Sequence, residues 1–267
     1  MEGMAFRPCR LCPGLKPGTS MSYRVAMDIA VGTSGYNYPE WKGTFYPEKF
    51  PASKMFAYYA ERFRTVEINY TFYRMPTPKL TEGWRAQAPE GFRYTLKAPK
   101  RITHDKRLID CEDAMAMFVE SARGLGPHIA SLLFQLAPNF RCDLARFEKF
   151  LAILPTDLRC AFEFRHDSWL VDDVYRVLEK HGAALCIADM GDKTTPVIST
   201  ARHAYFRLRD EGYQPDDLER WAATVLGHKS DWDQVFVYFK HEEEGKGPEF
   251  AKVFVEKLAS IDGGPGL

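Results

Sequence analysis

The chain has 267 residues, enough to bury one large core or two small ones, and its 45% hydrophobic and 27% charged content is that of an ordinary soluble globular protein. Thirty-six basic residues balance 36 acidic ones, which argues against binding governed by a broad basic surface, as in most non-specific nucleic-acid binders. No run approaches the ~20 apolar residues that span a bilayer, so membrane insertion is not expected.

Residues 1–22 lack the continuous apolar core of a signal peptide and read as a disordered leader, or as the product of a start upstream of the true one at Met21 or Met27. They carry a single CxxC, Cys9 and Cys12, with no second pair in range to complete a four-ligand site. The other cysteines (111, 142, 160, 186) are scattered through a chain too long to need disulfide staples, which points to a reducing, cytoplasmic setting.

From there strands and helices alternate. VAMDIAVG (25–32) is the first strand, followed by a Gly- and aromatic-rich loop around Ser34 and a helix at about 53–63 with Ser53 as its cap. TVEINYTFYR (65–74) is the second strand, with Val66 and Ile68 on one face and Glu67 and Asn69 on the other; Thr77 caps the next helix and Pro78 opens it. FRYTLKAP (92–99) alternates Phe92, Tyr94 and Leu96 with Arg93, Thr95 and Lys97, and its loop places Lys100, Arg101, Lys106 and Arg107 around His104. A helix starts near Asp110. The fourth strand, IASLLFQLAP, ends near Gln135, and Asp143 caps the helix after it. In RCAFEFRHDSW (159–169), Phe162 and Phe164 oppose Ala161, Glu163 and Arg165, with His166 and Trp169 beyond the strand end. AALCIAD ends in Asp189, HAYFRLRD carries Arg207, and QVFVYFKHE ends in Lys240 and His241. The stretch between the sixth and seventh strands has no helical period, so that crossover is irregular.

Eight strand–helix units in roughly 240 residues match a single-domain (β/α)8 TIM-type barrel over 23–262, with a flexible tail at 263–267. An open doubly wound sheet would carry a Gly-rich phosphate turn such as GxGxxG, which the sequence lacks. In a barrel the functional end is the C-terminal one, and nearly every strand here ends in a polar group: Ser34, Glu67, Asn69, Lys97, Gln135, Glu163, Arg165, Asp189, Arg207 and Lys240. Glu67 and Glu163 form an acid/base pair candidate. Lys97, Arg165, Arg207 and Lys240 make the mouth positive, as a phosphate- or carboxylate-bearing ligand requires. The plainer alternative is a self-satisfied ion network, Glu163 with Arg207 and Glu67 with Lys97. No HExxH or HxH spacing marks a metal site, and flanking cations oppose one; no cofactor is expected.

GTSGYNYPEWKGTFYP, VEINYTFYRMP, FRYTLKAPKRITH, LLFQLAP and FEFRHDSW, in this order, resemble the DUF72 (YecE-like) family densely over 28–170 and loosely to about 260. The resemblance implies a TIM-type barrel and names no reaction. By position it carries over a polar rim: Ser34, Glu67, Asn69, Tyr73, Lys97, His104, Gln135, Glu163, Arg165, His166 and Trp169. The chain departs late, with Leu208, Arg209 and Asp210 in place of a His-Gly ending on the seventh strand, and Lys240 and His241 where the family reads FNN. The combined expectation is an enzyme on a small anionic ligand, with Glu67, Glu163 and His104 in catalytic roles. The alternatives are a non-catalytic nucleic-acid module, a glycoside hydrolase or a metal-dependent phosphoesterase. The oligomeric state is open.

Overall fold

The computed structural model describes residues 27–242 and 244–263. The leader, Cys9 and Cys12, residues 25–26 of the first expected strand, and residues 264–267 lie outside them. Eight parallel strands close into a barrel in chain order: β1 (Asp28–Ser34), β2 (Thr65–Ile68), β3 (Arg93–Lys97), β4 (Ile129–Gln135), β5 (Cys160–Glu163), β6 (Ala184–Asp189), β7 (His203–Leu208) and β8 (Gln234–Phe239). Outside them lie α1 (Ala52–Ala60), the single turn α2 (Tyr70–Tyr73), α3 (Pro78–Gln87), α4 (Glu112–Arg123), α5 (Leu144–Leu151), α6 (Asp172–Lys180), α7 (Pro215–Gly227) and α8 (Lys246–Asp262). No helix spans the β6–β7 crossover, so the irregular connection is as expected.

Side chains divide by the period of two. Val66, Leu96, Phe134, Phe162, Phe206 and Val237 face outward into the layer packed by the helices. Ala30, Ala161, Ala184, Leu133, Cys186, Tyr205, Phe236 and Tyr238 fill the interior. Small residues on several strands leave room for two tyrosines. Tyr238 spends its hydroxyl on Thr65 Oγ1 (2.7 Å) and Thr95 Oγ1 (2.8 Å), so the interior is a packed plug up to the level of the C-terminal ends.

Three local expectations need correction or refinement. The second strand stops at Ile68, because Asn69 turns helical and Tyr70–Tyr73 form a helical turn instead of continuing the strand. Helix α1 begins at Ala52 behind Pro51 and has no side-chain cap, so Ser53 is inside it and does not cap it. The first strand runs on through Ser34, so Ser34 is its last residue and not part of the loop after it; Gly32 inside it lets β1 and β2 meet, since a Cβ there would lie 2.0 Å from the Thr65 carbonyl oxygen. Thr77 and Asp143 do cap, accepting from Leu80 N (3.3 Å) and Arg146 N (3.1 Å).

Candidate functional site

The C-terminal ends of the strands carry one buried charge cluster, and Arg207 is its centre. β7 delivers Arg207 inward two residues beyond Tyr205, above the interior plug. The guanidinium is fully buried and forks onto Glu67, Nη2 to Oε1 at 2.7 Å and Nε to Oε2 at 2.9 Å. Its remaining arm, Nη1, reaches Glu163 Oε2 at 2.6 Å. One planar fork thus joins β2, β5 and β7, a geometry that a lysine cannot supply.

Both carboxylates are saturated beyond this. Glu67 accepts from Ser34 Oγ, its neighbour in register across β1–β2, and from Tyr205 Oη at 2.6 Å. Glu163 accepts from Gln135 Nε2 (2.9 Å), its neighbour across β4–β5, and from Arg165 Nη1 (2.9 Å). Asn69 Nδ2 donates to Ser34 Oγ at 2.8 Å, extending the network to the rim. Burial alone would raise both carboxyl pKa values, but the attraction of Arg207 and the donated hydrogen bonds outweigh it. Glu67 is held below the ordinary carboxylate range, and Glu163 is brought to about 2.

Glu163 therefore meets Arg207 as the ion-network alternative has it. Glu67 does not meet Lys97, because Arg207 takes it instead. Lys97 is left inward at the end of β3, only 8% exposed. Among the described residues its Nζ makes no ion pair or hydrogen bond; it lies 4.4 Å from the centroid of the Phe72 ring. Burial, then the positive charge of Arg207, lowers its pKa to about 8, against the pull of Glu67 and Glu163. His104 sits in the π-type turn Arg101–Asp105, edge-on to the same Phe72 ring at 5.0 Å, with Nδ1 2.9 Å from Thr103 Oγ1. Burial and the nearby Lys97 lower its pKa.

Other residues expected at the mouth stand elsewhere. Asp189 points the opposite way from Ala188 and Cys186, out of the barrel. There it accepts from Tyr213 Oη (2.8 Å), Trp221 Nε1 (3.0 Å), Thr194 Oγ1 (3.0 Å) and Gly191 N (3.2 Å), which makes it a fastener for the irregular crossover and α7. Trp169 is fully buried, stacked on Phe164 and bonded from Nε1 to the Phe140 carbonyl at 2.7 Å, so it is packing beneath a loop. His166 Nδ1 caps its own turn by accepting from Ser168 N at 3.1 Å. Tyr73 is 78% exposed on the outer rim. Lys240 pairs with Glu242 at 3.1 Å but stays at the mouth, near enough for its charge to act on Lys97.

Three participants are absent from the expected set. Tyr205 lies two residues before Arg207 on the same face, a signal the strand period carries. Phe72 falls within the strand expected over 65–74, and only the helical turn Tyr70–Tyr73 brings it against Lys97. Arg209 comes 4.0 Å from Glu163 Oε1 and leaves its buried Nε without a partner among the described residues. Asn69 Oδ1 is likewise buried and unmatched among the described residues. No group of three or more His, Cys, Asp or Glu placed to hold a metal ion occurs among the described residues, and no helix there is long and apolar enough to cross a membrane.

A family model described as "Protein of unknown function DUF72" matches residues 30–264. The chain is 34% identical over 109 residues to the UPF0759 protein YecE of Escherichia coli, an alignment covering 40% of each chain, so the match spans less than half of that relative. With the UPF0759 protein YunF of Bacillus subtilis it shares 23% identity over 269 residues, covering 86% of this chain and 94% of that one. A crystal structure of a DUF72 family protein from Thermotoga maritima superposes with a TM-score of 0.78 at 26% identity, over 86% of this chain and 99% of the other. A DUF72 family protein from Enterococcus faecalis, at 19% identity, shares the fold with a TM-score of 0.73 over 86% and 95%.

Proposed function

The chain belongs to the DUF72 family, and from that starting point we propose that it is an enzyme binding a small phosphate- or carboxylate-bearing substrate at the C-terminal mouth of its barrel. The observation that supports this reading is a surplus of positive charge at the mouth, with Arg207 and Lys97 buried and Arg165 and Arg209 part-exposed above them. Four cations, Arg207, Arg165, Arg209 and Lys97, gather about two carboxylates that Arg207 already bridges. An unbalanced buried cation costs several kcal/mol, which an anionic ligand offsets. The unmatched Arg209 Nε and Asn69 Oδ1 add a donor and an acceptor for the ligand's polar groups.

This changes the roles assigned to the carboxylates. A group held at about 2, as Glu163 is, stays ionised at neutral pH and is a weak base, so Glu67 and Glu163 hold Arg207 and set the field. Proton transfer passes to Lys97 and His104, whose pKa values are moved toward neutrality or below. The same fact weighs against a glycoside hydrolase, which needs one carboxyl protonated at working pH. The nucleic-acid reading is weakened by loop cations that turn back on the loop and its surroundings: Lys100 pairs with Asp105 (3.9 Å), and Arg107 donates to Asn139 Oδ1 (3.2 Å). Free thiols at Cys111, Cys142, Cys160 and Cys186 support a reducing, cytoplasmic setting.

Isothermal titration with inorganic phosphate and sulfate, against chloride at equal ionic strength, tests the proposal. A saturable site is expected, worth about 2.7 kcal/mol of added stability at a hundred times its Kd, and weakened in Arg165→Ala and Arg209→Ala. No saturable binding, or equal binding in both variants, would overturn it.

A further inference from the structure

Lys97 is buried on a strand end, has no carboxylate partner among the described residues, and keeps its amine at the mouth against an aromatic ring. A structural lysine at such depth pairs with an acid; here both acids are taken by Arg207. We propose that Lys97 is a nucleophile that forms an imine with an aldehyde or ketone carrying the anionic group, with Arg165 and Arg209 clamping that group and His104 moving the proton. The proposal rests on the anion-binding reading above and narrows its substrate class to carbonyl compounds.

The amine must be neutral to react, and its burial, then the neighbouring Arg207, favour that form. At pH 8 about half of Lys97 is unprotonated, whereas roughly three in a thousand molecules of an unperturbed lysine are. The nitrogen lone pair attacks the carbonyl carbon, the C–N bond forms, and the carbonyl π pair moves to oxygen. The neutral His104 imidazole takes the proton shed by nitrogen and gives it to that oxygen, yielding a carbinolamine. Nitrogen then expels the hydroxyl group, which leaves as water with one proton from solvent, and a protonated imine remains. Nothing is oxidised or reduced. The Phe72 ring, shared by Lys97 at 4.4 Å and His104 at 5.0 Å, keeps the two within one compartment and screens the amine from bulk water.

The test uses pyruvate and glyceraldehyde 3-phosphate as probes, with acetone as the uncharged control, and sodium cyanoborohydride to reduce any imine to a stable secondary amine. Peptide mass spectrometry then locates the adduct in the full chain. Expected is labelling at Lys97 by the anionic probes at least about tenfold faster than at exposed lysines such as Lys54 and Lys252. The rate should rise with pH around 8, fall with sulfate, and vanish at that position in Lys97→Arg, which keeps the charge. His104→Gln should slow labelling while leaving sulfate binding intact. If only exposed lysines are labelled while sulfate still binds saturably, the imine proposal fails and the anion reading stands. Labelling of Lys97 that sulfate does not affect and acetone matches keeps the nucleophile and removes the anion clamp. Neither labelling nor sulfate binding overturns both.

Discussion

Lys97→Met should make the protein more stable. In the fold Lys97 titrates near 8, whereas an ordinary lysine does so near 10.5, because burial and then Arg207 oppose its charge. Below pH 8 the folded chain carries this ammonium at full penalty. Between 8 and 10.5 the unfolded chain binds a proton that the folded one does not, so stability rises with pH across that window and levels off above it. At ~1.4 kcal/mol per pH unit the gap is worth about 3 kcal/mol at neutral pH. Methionine keeps most of the stem's packing and loses a cation–π contact of about 0.5–1 kcal/mol, leaving a net gain of about 2 kcal/mol. For a chain of this size that is a rise in Tm of about 4–8 °C. Thermal unfolding of both proteins from pH 7 to 10.5, in buffers free of phosphate and sulfate, measures it. A variant less stable than the parent at pH 7, or a difference that does not shrink as pH rises through 8 to 10.5, would refute the reasoning that this amine is held against its preference.

Arg207→Met leaves Glu67 and Glu163 buried without their shared partner and should cost about 3–5 kcal/mol in denaturant unfolding; Arg207→Lys should restore little of it, for want of the planar fork. Glu163, depressed to about 2 from 4.5, contributes stability that is full above pH 4.5 and lost as pH falls toward 2, so Glu163→Gln should flatten the acid limb of the stability curve over that range. Asp189→Ala should destabilise by about 2–4 kcal/mol through its abandoned donors, yet leave sulfate affinity unchanged, since its side chain faces away from the mouth. Arg165→Ala should do the reverse, lowering sulfate affinity by about 1.5 kcal/mol, roughly tenfold, with little effect on Tm because that side chain is partly solvated.

Alternation made much of this legible. Phe162, Phe164, Ala161, Glu163 and Arg165 face as a period of two dictates, and so do Tyr94, Leu96 and Lys97. The same rule, counted in twos from Cys186, leads to Ala188 and would have turned Asp189 outward. Trp169 stands in the rim that the family resemblance implies, yet residue type alone does not separate a ligand contact from a loop core, and an indole suits both. Tyr70–Tyr73 misled because aromatics favour strands, while the chain there needs a helical turn to leave the barrel wall.

The order of strands and helices, closure into eight parallel units and the polar C-terminal rim follow from the sequence alone, because periodicity and turn chemistry are local properties of the chain. Which charges meet was decided only in three dimensions. Glu67, Glu163 and Arg207 are far apart in the chain, and Lys97 was as good a partner for Glu67 as Arg207 by charge count. Barrel register and the planar guanidinium gave both carboxylates to Arg207, and that choice left Lys97 with a buried amine that no carboxylate among the described residues pairs.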